Sequence, residues 1–249
     1  MALSKMINKS PLRRWFGFAQ SGVRGRSNRQ AMRKVFNVSL QRSGTQSFHH
    51  FMRSHGFKSA HWPGDSWDVQ WGSTLEHLDR GAIWTALHET VAECEVFSDT
   101  PYTFLYREAF AAYPDARFLM IIRGIDEWVG SVRRHFSTAP VMNMDKFHYW
   151  TLFGDRFHRI NDYSDDDFQL MYLRHLANVT NFMQETRAPF RVFWLSDPEL
   201  GSHLADYLEF KKVHEFPSID YHRSEAGWIS TSGPIETSSP TCSGGVFRR

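Results

Sequence analysis

The sequence predicts an α/β fold, a three-layer doubly wound sandwich around a central, mostly parallel sheet. Segments of strand length alternate with segments of helix length along most of the 249 residues. The run Arg117–Ile122 is apolar after its first residue, as is typical of strands that helices cover on both faces. A third indication is Lys34–Phe48, which has the pattern of a buried strand, a tight turn and a helix start.

Start and stop signals bound the predicted helices. Gly56 is expected to end the first helix, because glycine readily takes the left-handed conformation of a C-terminal cap. Ser73 and Glu76 have the spacing of a capping box, so a helix is predicted to begin there. Pro101 suits the first position of a helix. The predicted helices are 46–55, one beginning at 73, 83–94, 101–112, one beginning at 126, 144–157, 165–186 and 198–208.

The predicted strands are 35–40, 95–98, 117–122 and 190–194. In doubly wound sheets, ligands bind at the carboxyl ends of the strands. The first three strands are followed there by polar candidates, which are Arg42, Asp99 and Arg123. The run Asp165–Asp167 is most simply an acidic helix start that complements the helix dipole, with a metal site as the alternative.

Charge and composition divide the chain into three parts. Residues 1–33 form a basic flexible arm, 34–222 the α/β domain, and 223–249 a flexible tail rich in Ser, Thr and Gly. Residues 1–34 contain nine Lys or Arg and no acid, so the remainder carries a charge of 2 − 9 = −7. Such an arm suits a solvated tail, a contact with an anionic surface or an organelle presequence, and these alternatives stay open.

Composition also bears on location and partners. The two cysteines, Cys94 and Cys242, are far apart in sequence, which argues against a disulfide framework and favours a reducing compartment. No apolar run approaches the roughly 20 residues of a membrane-spanning helix. We therefore expect a cytoplasmic protein, with organelle targeting by the basic arm as the alternative. We expect no nucleic-acid partner, and the oligomeric state stays open.

The turn after the first strand predicts an anion site. Arg42, Ser43, Gly44, Thr45 and Ser47 combine one cation, hydroxyl donors and the backbone N–H groups of a helix start. The same turn could also be a plain structural connection. It lacks the first glycine and the lysine of a nucleotide-hydrolysing Walker A loop, which disfavours ordinary ATP or GTP hydrolysis. The predicted ligand is a phosphate or sulfate group on a nucleotide.

A second anion site is predicted after the strand 117–122. Arg123 ends this strand and offers a planar fork for phosphate oxygens. Ser131 follows eight residues later on the next predicted helix and adds a hydroxyl donor. Two anion sites on one sheet edge indicate a nucleotide with phosphates at both ends.

These motifs, taken in order, resemble sulfotransferases that use 3′-phosphoadenosine 5′-phosphosulfate (PAPS). The family carries a loop of the type Pro-Lys/Arg-Ser/Thr-Gly-Thr/Ser-Thr/Ser, a D-x-P segment, Y-P-x-A-K/R, R-(x)4-W-(x)2-S and a late F-P segment. The corresponding segments are Gln41–Ser47, Asp99–Pro101, Tyr113–Arg117, Arg123 with Trp128 and Ser131, and Glu215–Pro217. The resemblance covers about residues 34–220 and implies a P-loop-like sheet and no metal.

By this resemblance, the loop holds the 5′-phosphosulfate through Arg42, Ser43, Gly44, Thr45, Gln46 and Ser47. Arg123 and Ser131 hold the 3′-phosphate. Arg42 stands where many members have lysine, and would stabilise the charge that develops on the leaving phosphate. Gln41 and Gln46 depart from the family's proline and second hydroxyl residue.

Asp99 is the candidate general base, since it stands where cytosolic members often have histidine. An ordinary aspartate is a weak base, but burial by Phe97, Tyr102 and Phe104 could raise its pKa. The alternative is that Asp99 only caps a helix beginning at Pro101. A zinc set of His49, His50, His55 and His61 is disfavoured, because neither a cysteine nor a carboxylate joins these histidines at ligand spacing.

The predicted function is transfer of a sulfuryl group from PAPS to a hydroxyl or amine on a small molecule or glycan. Two alternatives stay open. One is a P-loop-like small-molecule kinase, which needs a Mg²⁺-binding carboxylate beside a loop Ser or Thr and normally a loop lysine. The other is a catalytically silent nucleotide-binding protein.

Overall fold

A five-stranded parallel sheet lies at the centre of the protein. The computed structural model of the chain describes residues 33–62, 79–138, 141, 143–153, 162–218, 221–224 and 227–230. The strands of the sheet are β1 (Val35–Asn37), β2 (Ser59–His61), β3 (Val96–Ser98), β4 (Arg117–Ile122) and β5 (Phe190–Trp194). Two further strands, β6 (Tyr221–Ser224) and β7 (Gly227–Ser230), form an antiparallel pair.

The strand order β2-β3-β1-β4-β5 puts β1 in the middle of the sheet. After β1 the chain continues to β2 on one side, whereas after β4 it continues to β5 on the other. A crevice therefore opens at the carboxyl ends of β1 and β4, where the chain direction switches.

Eight helices lie in the described part of the chain. They are α1 (Thr45–Ser54), α2 (Arg80–Ala86), α3 (His88–Glu93), α4 (Tyr106–Ala112), α5 (Ile125–Thr138), α6 (Asn143–Phe153), α7 (Asp165–Thr186) and α8 (Leu200–Leu208). The start of α7 is a capping box, in which Ser164 Oγ accepts from the Asp167 N–H and Asp167 accepts from the Ser164 N–H.

One face of the sheet is packed through a row of phenylalanines. Phe36 of β1 stacks on Phe97 of β3 and on Phe118 of β4, with ring centroids 4.7 and 5.4 Å away. The three residues align in the strand register, so their side chains leave the sheet on the same face. All three are fully buried, in one cluster with Phe147 of α6 and Val179 of α7. Helices α6 and α7 therefore cover this face.

The opposite face is covered by α8. Phe193 of β5 aligns with Ile121, one residue out of phase with the phenylalanine row, so it points to the other side. Its ring lies 5.8 Å from that of Tyr207 on α8, and the Tyr207 hydroxyl donates to the carbonyl of Phe118. The predicted three-layer, doubly wound architecture is thus confirmed.

Most predicted elements agree with the structure, and the differences are local. The strand 117–122, the helix 165–186 and the strand 190–194 are confirmed. The prediction that a helix begins at Pro101 is wrong, because residues 101–104 form turns and α4 begins at Tyr106. The predicted helix 83–94 is two short helices, α2 and α3. Strand β2 was not predicted, and the helix start at Ser73 lies outside the described residues.

The domain boundaries stay predictions. Strands β6 and β7 occupy residues 221–224 and 227–230, within or beside the segment assigned to a flexible tail, and the sequence analysis did not predict them. The basic arm 1–33 lies outside the described residues except for Arg33.

Cys94 corrects one expectation from the sequence. It follows α3, is 1% exposed and is disulfide-bonded. The remainder of that bond lies outside the described residues. The sequence argument against disulfide bonding does not hold for Cys94, so it no longer supports a reducing compartment. The cellular compartment stays a prediction.

Within the described part of the chain, no helix combines the length and apolarity that crossing a bilayer requires. The same residues contain no group of three or more His, Cys, Asp or Glu side chains placed to hold a metal ion.

A buried histidine joins α7 to the end of β1. The Nε2 atom of His175 lies 2.8 Å from the carbonyl oxygen of Val38, and His175 is 3% exposed. Since a carbonyl only accepts, Nε2 carries a proton. Burial lowers the pKa of His175 to about 4, against the opposing effect of the bond to Val38.

We expect the free energy of unfolding to fall as the pH drops from about 6.5 toward about 4. In this window an unfolded histidine binds a proton, whereas folded His175 does not, so acid favours the unfolded chain. Above the window the contribution of His175 is constant. Within the window, His175 should change the free energy of unfolding by on the order of 1 kcal/mol per pH unit.

Urea unfolding at a series of pH values tests this expectation. His175→Gln retains an N–H donor for Val38 but does not titrate, so its stability should depend less steeply on pH than that of the wild type. His88→Gln, at an exposed position on α3, is the control and should keep the wild-type slope. Equal slopes for His175→Gln and wild type would contradict the assignment.

Candidate anion-binding site

The loop between β1 and α1 has an unusual backbone. Arg42 and Gly44 both have positive φ angles, 64° and 80°. Gly44 is the N-cap of α1 and makes no side-chain cap. The first N–H groups of a helix have no partners within the helix, so the start of α1 can bind an anion.

Gly44 also lies at a close approach between two loops. A Cβ atom at this position would lie 2.6 Å from Leu195 Cδ1, in the turn after β5. Leu195 is fixed in turn, because its N–H donates to the carbonyl of Ile122 over 2.7 Å. Glycine is therefore required both by the backbone angle and by the available space.

The start of the loop is anchored by buried polar bonds. Ser39 Oγ accepts from the N–H of Ile121 at 2.7 Å, and Thr103 Oγ1 donates to the Ser39 carbonyl at 2.9 Å. The Gln41 side chain donates to the hydroxyl of Tyr149 on α6. Bonds of this kind in a buried region fix the loop before any ligand arrives.

Three residues of the R-(x)4-W-(x)2-S motif contact two successive loop residues. Trp128 Nε1 donates to the carbonyl of Gln41 at 2.8 Å, and Arg123 Nη1 donates to the carbonyl of Arg42 at 3.2 Å. Arg42 Nε donates to Ser131 Oγ at 3.2 Å. We call Arg123, Trp128 and Ser131 the loop clamp. The structure thus brings together Arg42, Arg123 and Ser131, the cations and hydroxyl that the sequence assigned to two anion sites.

Two polar atoms near the loop are buried without a hydrogen-bond partner among the described residues. They are Ser43 Oγ and Arg123 Nε. A buried donor without a partner is costly. A phosphate or sulfate oxygen would satisfy such donors, so these atoms fit an anionic ligand.

The remaining loop residues occupy the first turn of α1. Ser47 is buried, and Gln46 lies half-buried with its Nε2 3.3 Å from His50 Nε2. Gln46 therefore contacts its own helix rather than the loop clamp. Its assignment to the ligand, like that of Ser47, stays a prediction.

Asp99 follows β3 and lies beside the loop. Its Oδ2 accepts from Thr45 Oγ1 and lies 3.1 Å from His61 Nε2, and its Oδ1 accepts from the Thr100 N–H at 2.7 Å. The carboxylate is 16% exposed. Asp99 caps no helix, because the next helix begins seven residues later with Leu105 as its N-cap.

The expectation of a raised pKa for Asp99 is wrong, because the net shift is downward. Burial is the largest single influence and does favour the neutral acid. Together, however, the bond and charge of His61, the Thr100 N–H and the Thr45 hydroxyl outweigh it and lower the pKa to about 2. Asp99 is therefore a stable carboxylate and, by itself, a weak proton acceptor.

Sequence reasoning missed His61 as a member of this site. It ends β2, a three-residue strand with no clear apolar alternation, and the sequence analysis considered it only for zinc. One sequence signal could have identified it. His61 comes just before Trp62-Pro63, and a turn at this proline would make His61 the end of a strand. In the sheet, His61 aligns with Ser98 next to Asp99.

The fold and loop geometry define an α/β protein with a loop of left-handed residues, followed by a helix start, at the switch point of its sheet. Comparison with protein families matches residues 34–220 to the model described as "Sulfotransferase domain". The chain therefore belongs to the sulfotransferase domain family. A comparison with curated proteins finds no match.

Among solved structures, the chain is similar to shikimate kinase from Bacteroides thetaiotaomicron. The identity is 16% and the TM-score 0.47, over 72% of this chain and 100% of the kinase. A similarity this slight carries no conclusion about activity.

Gly44→Ala should destabilise the protein more than Gly56→Ala. Both glycines have positive φ, 80° and 83°, but only an added Cβ at position 44 meets another atom. Gly56→Ala therefore costs the backbone strain alone, about 1 kcal/mol, whereas Gly44→Ala should cost about 2–4 kcal/mol. Urea unfolding of both variants measures the difference.

The double variant Gly44→Ala/Leu195→Ala separates the two contributions. Removing the Leu195 side chain should relieve the steric part, so the two substitutions should cost less together than the sum of their separate costs. Strict additivity, or equal costs for Gly44→Ala and Gly56→Ala, would show that the close approach does not constrain the loop.

Proposed function

We propose that the protein transfers a sulfuryl group from PAPS to a hydroxyl or amine acceptor. Membership of the sulfotransferase domain family supports the reaction class. One observation supports PAPS as the sulfuryl donor. Arg42 contacts both Arg123 and Ser131 beside the start of α1. Two guanidinium groups with a helix start suit a ligand that carries more than one anionic group.

The residues present fit this donor. Ser43 Oγ and Arg123 Nε are buried donors without partners among the described residues, and the backbone at Gly44 leaves no room for a side chain. We assign the 5′-phosphosulfate to Arg42 through Ser47, and the 3′-phosphate to Arg123 and Ser131. Because Arg42 contacts Ser131, the two subsites would adjoin each other.

The chemistry of the site follows from its charges. PAPS would supply a sulfuryl group attached to a phosphate leaving group. The permanent charge of Arg42 and the N–H groups at the start of α1 would stabilise the negative charge that gathers on that phosphate. These donors are already fixed by the loop clamp, so little reorganisation is needed during the reaction.

The acceptor must lose a proton during transfer. Asp99, the base candidate of the sequence analysis, accepts a hydrogen bond from Thr45 of the loop, and this contact supports a role close to the transferred group. Its lowered pKa suits a carboxylate that holds a neighbouring group more than one that takes a proton. We assign the acceptor to small molecules or glycans, as the sequence analysis expected.

A small-molecule kinase is the second candidate, and one observation favours it. Thr45 Oγ1 lies 3.1 Å from Asp99 Oδ2, which is the pairing of a loop hydroxyl and a carboxylate that holds Mg²⁺ in phosphoryl transfer. Against it, the loop has no lysine, and the same oxygen of Asp99 is bonded to His61.

Ligand-induced stabilisation separates these candidates. The product nucleotide of PAPS, 3′-phosphoadenosine 5′-phosphate (PAP), should raise the melting temperature. At 100 times its dissociation constant it adds about 2.7 kcal/mol of stability. Stabilisation by ATP–Mg²⁺ with no response to PAP would favour the kinase. Binding of PAP without transfer from radiolabelled PAPS to a panel of phenols, sugars and amines would leave a silent nucleotide-binding protein.

Arg123→Ala should weaken PAP binding by about 10- to 100-fold, the loss expected for charge-assisted hydrogen bonds. Calorimetric titration with PAP measures this change. Arg107→Ala removes the same charge from an exposed position on α4, where the guanidinium lies over the Phe182 ring, and should leave the affinity unchanged. Unchanged affinity in Arg123→Ala would refute the assignment of the 3′-phosphate to Arg123.

A further inference from the structure

His61 and Asp99 form a pair at neighbouring strand ends. His61 closes β2, and its register partner in β3 is Ser98, the residue before Asp99. The His61 Nε2 atom lies 3.1 Å from Asp99 Oδ2, and the two side chains are 14% and 16% exposed. The pair therefore lies at the carboxyl edge of the sheet, next to Thr45 of the loop.

The pairing fixes which nitrogen of His61 can accept a proton. A carboxylate only accepts hydrogen bonds, so Nε2 must be the protonated nitrogen of the neutral ring. The lone pair then lies on Nδ1. Nδ1 makes no hydrogen bond to any residue in the described ranges. In enzymes with a histidine general base, a carboxylate commonly holds one ring nitrogen while the other nitrogen takes the proton. His61 and Asp99 have this arrangement.

We propose that His61 is the general base of the transfer reaction, acting at Nδ1, and that Asp99 is the positioning residue that holds it. This inference rests on the proposed sulfuryl transfer. Asp99 fits the second role because three donors, on Thr45, His61 and Thr100, keep it a carboxylate. A fixed carboxylate stabilises the imidazolium that forms when Nδ1 takes a proton.

The proton balance of the step is simple. The acceptor O–H or N–H bond breaks and its proton moves to His61 Nδ1, while the acceptor atom bonds to sulfur. The bond between sulfur and the donor phosphate oxygen breaks, and its electron pair goes to that oxygen. The imidazolium then returns its proton to solvent.

The groups around His61 are compatible with this role. On α1, the His49 ring lies 5.4 Å away, and its Nδ1 bonds to Ser59 Oγ at 2.8 Å. The pKa of His49 is lowered to about 2, first by burial and then by His61, His50 and Arg53, so it stays neutral when His61 becomes charged. Burial, Arg53 and His61 also lower the pKa of His50. Asp99 is the carboxylate that faces His61 within the described part of the chain.

The test compares His61→Gln with wild type. Glutamine can still donate a hydrogen bond to Asp99 but cannot take a proton. The substitution therefore removes the base and keeps the contact with Asp99. We expect kcat for transfer from radiolabelled PAPS to fall by about 100-fold, while stabilisation by PAP stays unchanged. The wild-type rate should decline toward acid pH as the base becomes protonated, and His61→Gln should lose this decline. His88→Gln, at an exposed position on α3, is the control and should keep the wild-type rate.

A second variant tests the positioning residue. In the same comparison of rate and binding, Asp99→Asn keeps the size of the side chain but loses the negative charge that would stabilise the imidazolium, so kcat should fall by about 100-fold while stabilisation by PAP stays unchanged. An unchanged kcat in Asp99→Asn would overturn the positioning role of Asp99.

The outcomes separate this inference from the proposed function. If the wild type transfers sulfate and His61→Gln retains its rate and its acid decline, His61 is not the base, although the proposed function stands. If the wild type binds no PAP and transfers no sulfate to any acceptor of the panel, the proposed function fails and the inference fails with it.

Discussion

The site depends on the contact between the start of α5 and the loop after β1. That loop contains two left-handed residues, so its carbonyl groups cannot be satisfied by regular secondary structure. Trp128 and Arg123 donate to the carbonyls of Gln41 and Arg42, and Ser131 accepts from the Arg42 side chain. Without these bonds the buried carbonyls would be unpaired, and the backbone that presents α1 to an anion would lose its support.

Sequence patterns predicted the fold well because the relevant signals are local. The apolar run at 117–122 and the acidic start at 165 each specify one element without reference to the rest of the chain. The failures occurred where local signals were weak or misleading. β2 is too short to show a periodic pattern, and Pro101 lies in a turn although proline is also favourable at a helix start.

The site was predicted in part for a similar reason. Motif spacing indicated Arg42, Arg123 and Ser131, because the two arginines follow recognisable strands and Ser131 comes eight residues after Arg123. Motif spacing could not identify His61 as the partner of Asp99, because the two residues come together only through the alignment of β2 with β3. The direction of the Asp99 pKa shift was wrong for the same reason. Burial can be estimated from apolar neighbours in sequence, whereas hydrogen-bond donors from another strand cannot.

The loop clamp joins residues that are more than 80 positions apart, with β2, β3, β4 and four helices between them. During synthesis the loop leaves the ribosome long before α5 does. An amino-terminal fragment that stops before β4 would contain every residue of the loop and still lack the partners that hold its shape. Completion of the binding surface is therefore a late step in folding, tied to the addition of the fourth strand.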